Sequence, residues 1–452
     1  MINTKKDINT NQNIHKYLLV MFYISIFLLP TNLFLVWRLP ESFIQGHFID
    51  YLAPKIYLSQ IMLGVLALVW AAKMQVATRC RQLLGSFFQD FAWRKHVSLT
   101  SLLLLVGILL IQAVRWQDIG LLSLTLNFIA GPVFLGFFLW RERELARKHL
   151  FGAMGIATTF QALLGLVQWW RQDSLLGYWF LGEPNLRLPE VMTSSLPGAV
   201  QILPYGTTPH PNILAGWLVL GSLCLIQFRK GKSWKKWMHT IFLAIFAIHL
   251  FTLLLTESWV AGASLVLLLL YSLFSAELYR FLKSTTSRLG ISISAGIIGT
   301  LFMVQLLWLV FPLVLERSSM VNGIIEQTSL TRRSRLQSQS LDLLQTEPSG
   351  SGFKRIFQYI LTTEDTYIGT RFLQPPHNSS VLLVTMSGFW VLIVLIYYSR
   401  YEHDVYSLIN VLILFSIPIF NLDHYFISTI SGQYSSIILI VYLYVLHGIE
   451  DL

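Results

Sequence analysis

Twelve stretches of mostly apolar residues constrain this chain more than any other feature: 17–37, 56–72, 97–114, 119–140, 150–170, 212–228, 238–255, 259–276, 290–314, 379–399, 404–420 and 434–449. A helix needs about 20 such residues to cross the hydrocarbon core of a bilayer. In lipid, only helices and closed barrels pair every backbone N–H and C=O internally. The expected fold is therefore an all-α polytopic membrane protein of about 12 transmembrane helices. Charged residues make up only 12% of the 452 positions, against about 25% in soluble domains. That excludes a soluble enzyme, a disordered chain and a secreted disulfide scaffold. The first stretch is too long for a signal-peptide core, and no small-x-small cleavage site follows it, so it reads as a retained anchor.

Orientation follows from where lysine and arginine sit. With the N-terminus inside, most of the 33 basic residues fall in inner segments, in clusters such as Arg79–Arg81, Arg141–Lys148, Arg229–Lys236 and Arg280–Arg288. Both termini then face the cytoplasm. The net charge of +10 is accounted for by this topology, so no nucleic-acid partner is expected. Of the two cysteines, Cys80 lies in a basic loop and Cys224 in an apolar run. A disulfide between them is not expected, and no cysteine spacing suits a metal.

Two outer segments are long, 171–211 and 315–378. The chain thus divides into helices one to nine over 1–314, a large extracytoplasmic loop over 315–378, and helices ten to twelve over 379–452. Both long segments contain aromatic and apolar residues and are expected to be partly ordered. Arg335 to Gln345 reads as a short helix closed by Pro348-Ser349-Gly350.

The residues that could carry chemistry gather on the outer side. Tyr205-Gly206-Thr207-Thr208-Pro209-His210-Pro211-Asn212 opens the sixth span. Arg332-Arg333-Ser334-Arg335 begins the helical part of the large loop. Gln374-Pro375-Pro376-His377-Asn378 opens the tenth span, and Asp423-His424 precedes the twelfth. Asn212 and Asn378 are suited to cap helix N-termini. Those termini carry unpaired N–H groups and partial positive charge, which favours phosphates. Arginines add always-charged, bidentate donors. Such parts suit a diphosphate held at a membrane surface. The competing readings are plain: Asn212 as a cap alone, each histidine as an interfacial polar residue, the arginines as a solvated face or a lipid-headgroup contact. His249, within the seventh span, reads as a buried, hydrogen-bonded residue. No carboxylate cluster suggests a bound cation, so a metal-free, cofactor-free reaction is expected.

Taken in order, these residues resemble the O-antigen ligase and polymerase superfamily of bacterial membrane glycosyltransferases. Gly206-Thr207-Thr208-Pro209-His210-Pro211-Asn212 is similar to its glycine–threonine–histidine–proline–asparagine signature. Leu255-Thr256-Glu257-Ser258 resembles its threonine–x–serine helix start. Arg335 followed by Pro348-Ser349-Gly350-Ser351-Gly352 resembles its arginine, short helix and proline–glycine turn. Pro376-His377-Asn378 matches its proline–histidine–asparagine motif, and Asp423-His424 sits where the family often has an acid–histidine pair. The chain departs from the pattern at Trp259 and Met386, where the family has Arg and an acid, and at Leu203 and Tyr205, where an upstream Arg is missing. Arg187, Arg332, Arg333 and Arg371 are the candidates to replace the lost arginines.

The resemblance implies a GT-C-type bundle in the bacterial inner membrane with its site on the extracytoplasmic face. The donor would be a glycan on undecaprenyl diphosphate, and the acceptor a hydroxyl on a glycan, lipid or protein. His377 would act as general base and Arg335 would stabilise the departing diphosphate. Arg332, Arg333, His210, Asn212, Asn378, Asp423 and His424 would bind substrate. Two other classes compete. A transporter or flippase for a polar or lipid-linked solute predicts ionisable residues deep in the spans. A non-catalytic assembly or sensor protein predicts that His377 and Arg335 are dispensable for cellular glycans.

Overall fold

The computed structural model describes residues 2–73, 97–187, 191–194, 201–230, 235–286, 324–363, 373–401 and 424–446. The described chain is mostly helical, in the order α1 (Ile2–Leu28), α2 (Leu58–Lys73), α3 (Val97–Arg115), α4 (Ile119–Phe128), α5 (Phe134–Arg141), α6 (Arg143–Arg171), α7 (Pro211–Arg229), α8 (Lys236–Leu255), α9 (Trp259–Thr286), α10 (Ile324–Thr346), α11 (Lys354–Thr363), α12 (Ser379–Ser387), α13 (Trp390–Tyr401), α14 (Tyr425–Ser428) and α15 (Ile430–Leu446).

Among the described residues, four helices are long and apolar enough to cross a membrane: Ile119–Arg141, Arg143–Arg171, Pro211–Arg229 and Lys236–Leu255. A fifth arises if the bent pair Ser379–Ser387 and Trp390–Tyr398 is one span. The first of the four joins α4 to α5 through a π-turn at Ile129–Val133, where Pro132 lacks the N–H that a regular turn would use. The apolar helices Ile14–Leu28, Leu58–Lys73, Thr100–Arg115, Trp259–Leu273 and Ile430–Leu443 are shorter. The stretches 290–314 and 404–420, like Cys80, lie outside the described residues. Large apolar side chains such as Ile111, Val114, Leu254 and Leu273 are about two-thirds or more exposed, which together with the length and composition of the apolar helices suggests a membrane protein.

The expected first span is shorter than its hydropathy. The helix stops at Leu28, before Pro30, and Phe34–Val36 forms a strand, β1. It pairs antiparallel with β4 (Lys55–Tyr57), Phe34 opposite Tyr57 and Val36 opposite Lys55. Apolar residues 29–37 thus belong to a hairpin closed by a second small ladder, β2 (Phe43–Ile44) with β3 (His47–Phe48). Hydropathy alone cannot separate a short apolar strand from the end of a helix.

Helix α7 is the centre of the bundle, with 72% of its apolar window buried. Trp217 is buried and donates from Nε1 to Ser431 Oγ of α15 at 2.7 Å. Gly221 lies against Thr158 of α6, where a Cβ would collide with the threonine side chain. Small residues at such a crossing let two backbones approach closely where no water drives association. Cys224 is buried in the same helix as a free thiol. His249 is buried in α8, and its Nε2 meets Thr159 Oγ1 of α6 at 3.1 Å, as expected for a hydrogen-bonded residue of the bundle.

The loop helix is longer than the sequence suggests, Ile324–Thr346. Beyond it, Pro348–Gly352 docks onto two other elements. Ser351 N donates to Thr385 O at 3.0 Å, Gly352 N to Met386 O at 3.2 Å, and Phe389 N to Pro348 O at 3.0 Å. These bonds engage the last carbonyls of α12 at the point where the bent pair turns by 113°. Gly350 and Gly388 touch backbone to backbone, each with positive φ, +100° and +70°. A side chain on either would strike the other's chain. On the second side, Asp118 both caps α4, accepting from Leu121 N at 2.9 Å, and accepts from Phe353 N and Lys354 N at 2.5 Å each. Burial pushes the Asp118 carboxyl up, and the three backbone donors oppose that. Gln112 and Arg115 bond to Ser349, and Trp116 Nε1 donates to Gly350 O at 2.9 Å. One turn of five residues therefore ties α3, α4, α11 and α12 together.

Candidate functional site

Three imidazoles meet at the end of the bundle where α7, α12 and α14 begin. His424 lies 5.0 Å from His377, centroid to centroid, and 4.6 Å from Tyr425. Tyr425 in turn lies 5.3 Å from His210. Tyr51 of the hairpin closes one side, its ring 5.8 Å from His424. Arg332 and Arg333, both partly buried on α10, complete the group. Arg333 is the strongest charge acting on His377 and on His210.

Each histidine is positioned by its own local structure. Pro211 at the first helical position fixes where α7 begins, because its missing N–H is one the helix does not use. That makes His210 the N-cap, extended at φ −155°, with Nδ1 accepting from Asn212 N at 3.1 Å. The cap expected at Asn212 is thus His210 instead, and Asn212 is the second residue of the helix. Asn378 does cap its helix: it is buried, and its Oδ1 accepts from Val381 N at 3.0 Å. His377 Nε2 donates to Gln374 Oε1 at 3.0 Å, which leaves Nδ1 with its lone pair and no protein partner. His424 Nδ1 meets Ser428 Oγ at 2.6 Å, and its Nε2 has no protein partner. Buried ring nitrogens are normally paired. Two of them left open, side by side, mark a place where another molecule's polar groups fit.

Burial lowers all three histidines, with the neighbouring cations adding to it. His210 falls to about 4, His424 to about 3, and His377 well below its ordinary 6.5. Arg332 falls to about 10 by burial and stays charged near neutrality. At pH 7 the site therefore holds three neutral imidazoles beside two fixed cations. Among the described residues no three His, Cys, Asp or Glu side chains group as metal ligands.

The other sequence candidates fall differently. Arg335 is exposed on α10, while Arg332 and Arg333 are the arginines whose charge acts on the histidines. Arg187 is committed to Asp173, with Nε 3.0 Å from both carboxylate oxygens and Nη2 at 2.5 Å. Asp423 and Arg371 lie outside the described residues. Sequence reasoning missed Gln374, although it stands three residues before His377 in the same motif. It also missed two glutamines of α6 that hold the Tyr205–Thr207 backbone. Gln161 accepts from Thr207 N at 2.8 Å and donates to Thr207 Oγ1 at 2.7 Å. Gln168 accepts from Gly206 N at 2.7 Å and donates to Gly206 O and to buried Glu183 at 2.8 and 2.9 Å. Their seven-residue spacing puts both on one helix face, which is a signal legible in the sequence only once the motif is known to lie there.

Gln168→Ala strands a buried N–H, a C=O and part of a carboxylate. At about 1–3 kcal/mol for each unpaired buried group, the expected result is a melting temperature lowered by several degrees and faster proteolysis within 201–210.

A cavity of about 250 Å³ adjoins this cluster, with Pro209, His210, Gln374 and Tyr425 on one wall and the hairpin and α4 on the other. The chain matches no protein-family model and no curated protein.

Proposed function

We propose that this protein is a membrane glycosyltransferase of the O-antigen ligase or polymerase type, moving a glycan from undecaprenyl diphosphate to an acceptor hydroxyl. The observation that carries the reading is the pair of open, neutral imidazole nitrogens beside two partly buried arginines at one end of a lipid-facing helix bundle. Arginine pairs bind diphosphate through fork-shaped donors, and a neutral imidazole is the usual proton acceptor for a hydroxyl.

In the proposed reaction the acceptor O–H gives its proton to His377 Nδ1 as its oxygen attacks the anomeric carbon of the donor. The bond from that carbon to the phosphate oxygen breaks, and the lipid diphosphate leaves with its electron pair against Arg332 and Arg333. Gln374 holds the His377 tautomer, because its Oε1 accepts a hydrogen bond from Nε2–H and keeps the Nδ1 lone pair free. His424 Nε2 is the second open nitrogen facing the reacting groups. No cofactor enters this scheme, and persistence of transfer in a chelator tests that separately.

The diphosphate also tunes the base. Arg333 and Arg332 help hold the His377 imidazole neutral in the empty site. A bound polyanion offsets those charges and raises His377 toward its ordinary value. A lowered pKa means activity is lost only as pH falls through that lowered value. The acid limb of kcat/KM, which reports the free enzyme, is therefore expected at lower pH than the acid limb of kcat, which reports the complex. Coincident limbs would remove this coupling.

The site is proposed to face outward from the bacterial inner membrane, with both termini cytoplasmic, on the distribution of lysine and arginine. An impermeant maleimide should label Gln345→Cys in intact cells but Lys236→Cys only after permeabilisation, in a background lacking Cys80 and Cys224. The reverse pattern would invert the topology.

A flippase remains the second reading, favoured by the 113° break at Gly388, since broken helices line many transport sites. Purified protein with a synthetic undecaprenyl-diphosphate glycan separates the two. Transfer releases the lipid diphosphate with a new glycosidic bond. A flippase moves intact lipid across a vesicle and cleaves nothing.

A further inference from the structure

The cavity beside the histidines has a lining that, apart from Gln374, the transfer step does not use. It includes Asn32, residues of the hairpin over 33–57 such as Tyr51 and Lys55, and one face of α4 from Gly120 to Asn127, together with Gln374 and Tyr425. Asn127 gives its Nδ2 to Lys55 O and Gln374 its Oε1 to His377, so the amides of the lining have Asn127 Oδ1, Gln374 Nε2 and both polar atoms of Asn32 for a ligand, a mix of acceptors and donors that matches hydroxyls and not an alkyl chain. The aromatic side chains of Phe34, Tyr51 and Tyr57 also line it. Charge in the lining is balanced. Lys55 Nζ is 2.5 Å from Asp50 Oδ2 and lies 4.8 Å from the centre of the Phe34 ring. The His210 imidazole is uncharged near neutrality. The volume, about 250 Å³, falls below the ~300–1,000 Å³ of ordinary ligand pockets. It has room for one sugar ring inside it.

We infer that this cavity is a subsite for a single neutral sugar ring, built by the hairpin and α4 and opening onto the cationic cluster through His210, Gln374 and Tyr425. The inference rests on the transferase reading for its role but not for its chemistry. Two sources would supply such a ring, the sugar on the lipid diphosphate and the sugar bearing the acceptor hydroxyl. The hairpin then sets which sugar the protein accepts. The cluster sets what is done to it.

The test is saturation-transfer NMR on the purified full-length protein in detergent, with methyl glycosides of neutral hexoses and N-acetylhexosamines, and methyl glucuronide as the charged control. At least one neutral glycoside is expected to give a signal several-fold above methyl glucuronide. Ser123→Leu, which fills the cavity from α4, should abolish it, and Lys55→Met should weaken it several-fold. Lys148→Ala, at an exposed position of α6 outside the cavity lining, should leave it unchanged. Melting curves identify any variant that fails to fold, and the other variant then decides. No signal from any neutral glycoside, or a signal that survives Ser123→Leu, overturns the inference.

The transfer assay separates the sources. Ser123→Leu should raise KM at least tenfold for the donor alone or for the acceptor alone, naming the ring that occupies the site. Unchanged KM for both overturns the subsite while leaving the transferase standing. Glycoside binding by a wild-type protein that transfers nothing has the opposite meaning: the subsite holds and the transferase reading falls.

Discussion

His377→Ala is expected to lower kcat for transfer by roughly 10²–10⁴-fold, the usual contribution of a positioned general base, with the protein still folded and the donor still bound. Arg333→Ala should cost roughly 10²–10³-fold, the range for removing one preorganised donor from a developing negative charge, and should raise donor KM as well. The two effects differ in pH dependence. Loss of the base removes the acid limb of the profile. Loss of Arg333 leaves it and moves it to higher pH, because one of the cations depressing the imidazole is gone. Arg335→Ala, at an exposed position on the same helix, should cost far less than Arg333→Ala. Transfer at the wild-type rate in both His377→Ala and Arg333→Ala would remove this site from the chemistry. The reaction itself would then need another base.

Asp118→Ala is expected to have the largest effect on stability. Its carboxylate accepts from three backbone N–H groups in two elements, Leu121 in α4 and Phe353 and Lys354 at the start of α11. Removing it leaves three donors without an acceptor in a buried place, at about 1–3 kcal/mol each. The expected loss is roughly 3 kcal/mol or more by that rule, read as a lowered melting temperature in detergent and as faster proteolysis of 346–354. Asp118→Asn is no conservative change here. Its amide oxygen can keep the cap on α4, but its NH₂ would face the Phe353 and Lys354 donors. Gly388→Ala should act on the same joint from the far side, since its Cβ would strike Ser349 and Gly350 at a positive φ. Both variants should lose transfer together with stability, because this turn fixes α10, and with it Arg332 and Arg333, against the histidines. A melting temperature within a degree of wild type for Asp118→Ala would show that the three donors find other partners.

Much of the architecture is legible in the residues. Period, length and lack of charge identify α4–α5, α6, α7 and α8 as helices able to cross a membrane. Pro348 after α10 and Asn378 before α12 mark helix ends by their own backbone chemistry. The strand at Phe34–Val36 is not legible, because its partner at Lys55–Tyr57 lies outside any local window and the run is apolar like the helix before it. The break at Gly388 is not legible either. A glycine in an apolar run is tolerated in a membrane helix, and only the carbonyls of Thr385 and Met386 taken by Ser351 and Gly352 make it a corner.

The candidate site divides in the same way. Residue types and their order in the chain were enough to select His210, His377, His424 and the arginine cluster, since imidazoles and guanidiniums beside helix starts are a chemistry that composition can announce. Which arginines lie against the histidines was decided in three dimensions. Arg332 and Arg335 share a helix face at i and i+3, so spacing does not separate them, and only the packing of α10 leaves Arg332 and Arg333 partly buried and Arg335 exposed. Gln168 acquires its role from partners that folding brings to it, and Asp118 adds to its local cap two donors from Phe353 and Lys354. A sequence states what each group can bond to, and the tertiary structure decides what lies within reach.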